Sequence, residues 1–291
     1  MIDLHSHTYE SDGTCSPSEL VDAAVDAGLE ALAITDHDTF AGYDTAEPLA
    51  AVRGLELVCG IELNTRTARQ DGGRNRSWDV HVLGYFLNDP PPPDFRAWLT
   101  EMLESRRARN AELVKKLRAN GVVIDLDEVE AIGRTLTGRP HFARVLVQKG
   151  YAANSEEAFR KYLGETAPTF VSRQNPETEE GLRRIRAAGG FPVLAHPIRL
   201  GFRQAGAEEH FIAELRDAGL RGLEAYHSDH QPQDAQRYTE LAKRLGLAIT
   251  GGSDFHGSAK PHVRLGRGAN GNLNVPRTVL EDLRRAAQSA A

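Results

Sequence analysis

His5 and His7 stand two residues apart in a run that reads as a short strand, Ile2 to Ser6 followed by His7. Residues i and i+2 of a strand leave the same face, so both imidazoles can ligate one metal ion. Alone, such a pair says little. Other apolar runs end in the same kind of residue, however: Ala31 to Thr35 in Asp36-His37-Asp38, Leu57 to Ile61 in Glu62, Leu194-Ala195 in His196, and Ile249 to Gly252 in Ser253-Asp254-Phe255-His256. Asp12, in the first loop, and His81, on a strand of its own, can reach the same place. A set of imidazoles and carboxylates delivered by several strand ends points to clustered divalent cations, which acidify a bound water and offset charge on phosphoryl oxygens. The imidazoles must be neutral to ligate, so activity should fall in acid. Asp36 and Asp38 are placed to orient ligand imidazoles.

Phosphoester chemistry also needs cationic donors for the substrate. Arg139 precedes a Pro-initiated helix and His141 lies in its first turn, where a guanidinium and a helix N-terminus can both hold phosphate. Arg144, Lys161 and His227 are further candidates, with His230 weaker on the same loop as His227. His210 and His262 read as surface residues. The stretch Arg106 to Arg118 carries six cations against Glu112 alone and reads first as a solvated helix face, with an RNA-tracking surface as the sharper alternative.

These residues must be positioned by alternating elements. After the first strand, Ser16, Pro17 and Glu19 mark a helix start and Gly28 a stop. Strand-like runs recur at 31–35, 55–61, 80–86, 191–195, 222–226 and 247–250, with helical stretches that include 46–52, 178–188, 209–218 and 233–245. Alternation of this kind predicts a parallel α/β sheet or barrel, whose C-terminal strand ends share one mouth. Between Asn88 and Val171 the rhythm changes: a Pro run opens a long amphipathic helix with Phe95, Trp98, Leu99, Met102 and Leu103 on one face, and helices at 140–149 and 156–163 follow. The expected organisation is a barrel over 1–88 and 172–291 with a helical insertion over 89–171 that covers the active site.

Composition narrows the class. A 291-residue chain with 40% hydrophobic and 26% charged residues has the balance of a folded globular protein. Two cysteines, Cys15 and Cys59, give neither a disulfide framework nor a thiolate metal site, so any metal must use N and O ligands. A net charge of -6 argues against binding a polyanion over the whole surface. No apolar run approaches a membrane span and the N-terminal residues lack signal-peptide blocks, so the expected location is cytoplasmic, with no membrane and no obligate protein partner.

Taken together, His5-Ser6-His7, Ser11-Asp12-Gly13, Ile34-Thr35-Asp36-His37-Asp38, Gly60-Ile61-Glu62, Ala195-His196-Pro197 and Gly252-Ser253-Asp254-Phe255-His256 resemble the polymerase and histidinol phosphatase (PHP) domain over nearly the whole chain. Within that family the chain is most similar to the nucleoside 3',5'-bisphosphate phosphatase group, also linked to 5'-3' exoribonuclease activity. The resemblance implies a distorted (β/α)7 barrel and a trinuclear Mn, Fe or Zn site. Carried over by motif, His5, His7, Glu62 and Asp254 hold one ion, Asp12, His37 and His256 a second, and His81 and His196 a third, with Glu62 bridging. Asp254, His256 and Glu62 are the expected catalytic residues, and Arg139 and His141 match positions that bind phosphate in that group.

The expected activity is hydrolysis of a phosphate monoester, foremost the 3'-phosphate of a nucleoside 3',5'-bisphosphate, so the partner is a small phosphorylated metabolite or a short oligonucleotide. The alternatives are a 5'-3' exoribonuclease on short 5'-phosphorylated RNA, a histidinol phosphate phosphatase, and a sensory module that keeps the metal fold without turnover.

Overall fold

The computed structural model describes residues 1–71, 74–133, 136–172, 175–202 and 204–289. Seven strands form one sheet in chain order: β1 (Ile2–Asp3), β2 (Ala31–Ile34), β3 (Glu56–Asp71), β4 (Arg74–Phe86), β5 (Phe191–Leu194), β6 (Gly222–His227) and β7 (Ala248–Gly252). The sheet curls until β7 meets β1, where Leu4 N–H donates to Gly251 O (3.2 Å) and Asp254 N–H to His5 O (2.8 Å). Gly252 is required at this seam, because a Cβ there would lie 2.3 Å from His5 N. The protein is therefore an α/β barrel of seven strands, distorted from full parallelism.

One strand departs from the parallel pairing that alternation of strand and helix predicts. β1 to β3 and β5 to β7 pair parallel, but β4 is antiparallel to both its neighbours. The reason lies in the connection: β4 follows β3 with no crossover helix, and only antiparallel strands can be joined so directly. Both strands also run longer than their apolar cores predicted, which carries Thr65 and Thr67 beyond the barrel to Thr178 at the start of a later helix, with hydroxyl contacts of 3.0 and 2.6 Å.

The helices are α1 (Pro17–Asp26), α2 (Ala41–Arg53), α3 (Pro93–Ala119), α4 (Leu126–Gly133), α5 (Arg139–Gln148), α6 (Ser155–Ala158, continued by a π-helical turn Phe159–Leu163), α7 (Thr178–Ala187), α8 (Ala205–Asp217), α9 (Pro232–Leu245) and α10 (Thr278–Ser289). α1 starts as its sequence dictates: Glu19 N–H donates to Ser16 Oγ (3.1 Å) and Ser16 N–H to the Glu19 carboxylate (2.7 Å), satisfying two end donors reciprocally. No helix among the described residues is long and apolar enough to cross a membrane.

Strand alternation divides the core. Ala31, Ala33, Val58, Leu83, Tyr85 and Val193 pack with Val279, Leu280 and Leu283 of α10, whereas Cys59, Ile61, Leu63, Val80, Val82 and Leu223 pack with α7, α8 and α9. A further cluster belongs to the helices between β4 and β5: Leu113, Leu117, Val129, Phe142, Leu146 and Leu163. The single helix α3 joins the two, since Phe95 and Leu99 at its start belong to the barrel cluster and Leu113 and Leu117 near its end to the helical one. That shared helix fixes α5 against the barrel mouth.

Candidate metal centre

Glu62 is the hub of the mouth. Its Oε1 lies 2.7 Å from His81 Nδ1 and 2.9 Å from His196 Nε2, and its Oε2 lies 3.2 Å from His5 Nε2, 3.1 Å from His7 Nε2 and 3.4 Å from His37 Nδ1. Five imidazoles from four separate elements thus converge on one carboxylate. His81 reaches it from the middle of an antiparallel strand, pairing with Asn64 across β3.

Among the described residues four sets of ligand atoms lie within 4.8 Å of one another: His5, His7, Glu62 and Asp254; His7, Asp12, His37 and His256; His37, Glu62 and His81; and His5, Glu224 and His227, the last built on the side of His5 away from Glu62. The first contains the residues expected for one ion, and the second contains those expected for another with His7 added. The third differs, since His37 joins His81 there, although His196 shares the same Glu62 oxygen.

These residues fit divalent cations on three counts. His7 Nε2 and Asp12 Oδ1 are buried without a hydrogen bond of acceptable geometry, a costly state that coordination relieves. The donor set is imidazole and carboxylate, suited to Mn, Fe or Zn. The field of the carboxylates draws positive charge. Burial opposes protonation of His7, yet Asp254 and Glu62 outweigh it and raise its pKa to about 9. Asp12, Glu62 and Asp254 are held well below the usual carboxylate range against their burial, by His256 and His37, by His37 and His81, and by Lys260 and His256 respectively. Burial holds His37 down to about 4 and His196 to about 3, which keeps both in the neutral form that ligates.

A second ring of side chains fixes the ligands, and most of it escaped sequence reasoning. Glu224 accepts from His5 Nδ1 (2.9 Å) and from His196 N–H (2.7 Å). Its signal was a carboxylate inside the apolar run Leu223-Glu224-Ala225. Asp3 accepts from Ser253 N–H (2.8 Å), Ser253 Oγ (2.6 Å) and Gly266 N–H (2.7 Å), which anchors the segment that carries Asp254. Asp36 does not touch an imidazole but locks the first loop through Thr8 N–H (2.7 Å) and Ser11 Oγ (2.6 Å), upstream of Asp12. Asp38 acts through Asn64, whose amide donates to Asp38 (2.9 Å) and to His37 Nδ1 (3.2 Å). Asp38, His196 and Asp254 adopt left-handed backbone at φ 52°, 26° and 55°. Such conformations are strained for non-glycine residues and cluster at functional sites.

Two adjoining cavities open on the ligands. One, of about 200 Å³, runs from Asp12, His37 and His81 past Arg139 and His141 to Phe170. The other, of about 510 Å³, is lined by Asp12, His37, Glu62, His141, Arg144, Arg199, Asp254, His256 and Lys260 among others. Arg199 and Lys260, which sequence reasoning missed, both bind Asp254 Oδ2, at 2.8 and 2.6 Å. Neither has a motif around it; the fold brings Arg199 to that oxygen, and the loop after Asp254 brings Lys260.

The remaining candidates divide. Lys161 is exposed, pairs with Glu157 at 2.7 Å and lines neither cavity, whereas Phe159 two residues earlier lines both. His227 is buried beneath the ligands rather than exposed in the mouth. Its Nδ1 accepts from Asp229 N–H (3.0 Å) and its Nε2 lies 3.5 Å from Asp254. His230 is buried against Tyr238, with Nδ1 on Ala225 O (2.8 Å). His210 and His262 are exposed, as read from their polar surroundings.

His141 is a neutral donor at this mouth. Gly138 N–H donates to its Nδ1 (3.1 Å), so Nε2 carries the proton. Burial lowers its pKa to about 4. The folded value lies below the unfolded one near 6.5, so the unfolded chain takes up the proton first and stability is lost as pH falls from about 6.5 to about 4. This group should account for on the order of 3 kcal/mol of that loss. Urea unfolding of His141→Gln at pH 7 and pH 4.5 is expected to show a correspondingly flatter pH dependence than the parent protein.

The comparisons agree with this geometry. The PHP domain profile matches residues 3–169. A 5'-3' exoribonuclease of Haemophilus influenzae is 34% identical over 255 residues, 87% of this chain and 89% of that protein. A 3',5'-nucleoside bisphosphate phosphatase of Chromobacterium violaceum is 34% identical over 262 residues, 88% of this chain and 87% of that protein. A solved structure from Bifidobacterium adolescentis, inferred to be a metal-dependent phosphoesterase, superposes with a TM-score of 0.80 at 32% identity, covering 98% of this chain and 96% of that one. The ligand sets at the mouth and the match along the barrel lead to one conclusion, that the chain belongs to the PHP domain family and is a metal-dependent phosphoesterase.

Proposed function

We propose that the protein removes the 3'-phosphate from nucleoside 3',5'-bisphosphates, using up to three divalent ions held by His5, His7, Asp12, His37, Glu62, His81, His196, Asp254 and His256. The observation that carries this reading is Arg139-Pro140-His141 at the start of α5, which lines the cavity that also holds Asp12, His37 and His81. When bound, the ions supply an acidified water and offset charge on the phosphoryl oxygens. Arg139 grips a nonbridging oxygen pair and His141 Nε2–H donates to a further oxygen, holding phosphorus in line for attack. Glu62, Asp254 and His256 fix the reacting end. Water adds to phosphorus, the bond from phosphorus to the 3'-oxygen breaks, and orthophosphate and a nucleoside 5'-monophosphate leave. In this reading residues 89–171 form an insertion that covers the site, with a wall of the mouth built from α3, α5 and the Phe159–Leu163 turn.

Protein supplied with Mn is expected to release orthophosphate from such a bisphosphate, and silence across a broad panel of phosphoesters would refute the reading. A second reading, exonuclease action on short 5'-phosphorylated RNA, is favoured by the second cavity of about 510 Å³ that shares His37 and His81 with the first and adds room at the ligands. Shortening of such an oligomer, compared with bisphosphate turnover on one preparation, separates the two.

A further inference from the structure

We propose that Phe159 is the side chain on which the substrate's nucleobase stacks, so that the protein prefers nucleotides to phosphoesters without a base; this rests on the bisphosphate reading above. The two cavities at the mouth share six residues, Asp12, His37, His81, Pro140, His141 and Phe159. Three of these are expected metal ligands, and Pro140 and His141 begin α5. Phe159 is the one phenyl ring common to both cavities. A nucleoside attached to a phosphate at the ions therefore has this ring as a wall in either.

The ring is open to a ligand and fixed in place. Phe159 is partly buried: it packs on the helical cluster that holds Leu146 and Leu163, and lines the cavities with the rest of its surface. Phe170, in the smaller cavity, already has the Arg139 guanidinium over it at 5.9 Å, whereas among the described residues neither a ring nor a cation lies over Phe159. The Asn154 side chain accepts from Glu157 N–H (2.9 Å) to start α6, and Gly164 N–H closes the π-helical turn on Phe159 O (2.7 Å). A Cβ at position 164 would lie 2.9 Å from that oxygen, so glycine is what permits the closure. Turns of this kind are rare and recur at functional sites.

The chemistry follows from the surroundings. Most of the other groups that line the cavities are charged or polar, and they suit phosphate, ions and water rather than the flat apolar face of a base. Every base offers a π face to a phenyl ring, so stacking holds a nucleotide whatever its sequence identity. The larger cavity, of about 510 Å³, has room for a nucleoside. A sugar phosphate leaves the ring in water, whereas a nucleotide covers it and gains the burial.

The test compares Mn-loaded parent, Phe159→Leu and Phe159→Trp on a nucleoside 3',5'-bisphosphate and on methyl riboside 3,5-bisphosphate, which keeps the sugar and both phosphates and lacks the base. The parent is expected to favour the nucleoside by roughly 10- to 100-fold in kcat/KM. Phe159→Leu, which keeps an apolar side chain against the helical cluster, should raise KM for the nucleoside until that preference falls to about threefold or less, with the base-free substrate little affected. Phe159→Trp should keep the preference. The ratio of the two substrates on one preparation does not depend on the folded fraction, so partial unfolding of a variant does not imitate the result. An unchanged ratio in Phe159→Leu, or a parent that turns over both substrates equally, overturns the stacking role while the bisphosphate reading stands. A parent silent on the nucleoside bisphosphate but active on another phosphoester overturns that reading and the stacking role with it.

Discussion

Glu62→Gln is expected to lower kcat/KM by more than about 10³-fold and to strip bound metal from the protein. The substitution keeps shape and one acceptor but removes the charge on which His5, His7, His37, His81 and His196 converge within 3.4 Å. It also puts an amide N–H₂ where an ion or an imidazole nitrogen needs an acceptor. The two oxygens serve different groups, His81 and His196 on one and His5, His7 and His37 on the other, so no orientation of the amide satisfies both. Steady-state kinetics and elemental analysis on the same preparation check this. Activity within tenfold of the parent would contradict the role of Glu62 as hub.

Arg139→Ala should act differently from Asp254→Ala. Arg139 is near Asp79 at 3.6 Å and over the Phe170 ring at 5.9 Å, and it touches none of the expected ligands. Its removal is therefore expected to raise KM by roughly 10- to 100-fold with metal content retained. Asp254 offers Oδ1 to the first ligand set, 3.3 Å from His7, while Arg199 and Lys260 hold Oδ2. Asp254→Ala removes a ligand and leaves two cations beside the metal position, so turnover should be lost together with metal. Equal loss of metal in both variants would refute this division of labour between Arg139 and Asp254.

Most of the expected ligands were legible because they stand where an apolar strand stops, a local signal, whereas His81 lies inside β4 and Asp12 in a loop. Asp36-His37-Asp38 and Ser253-Asp254-Phe255-His256 announce themselves without a fold. What was hidden depends on strand direction and on helix rotation. The antiparallel course of β4 was missed because an apolar run carries no sign of its direction. Glu224, Asp3 and Arg199 act through contacts made far along the chain, such as Glu224 with His5 and Arg199 with Asp254, and Lys260 through a turn of the loop that no motif marks. Lys161 shows the same limit: its place between Phe159 and Tyr162 fits a cleft or a solvated helix face equally, and the structure has it exposed and paired with Glu157. The buried pair Arg106 and Arg109 sat in a run whose charge count reads as solvation, since composition does not say which side of a helix faces a cleft.

The most direct test of the central claim couples metal content to turnover in one sample. Protein prepared with ample Mn and Fe is expected to carry two to three ions per chain by elemental analysis and to release orthophosphate from a nucleoside 3',5'-bisphosphate. Exhaustive chelation should remove both the ions and the activity, and added Mn should restore them together. Protein that carries no metal under these conditions, or that keeps its activity after chelation, would contradict the account.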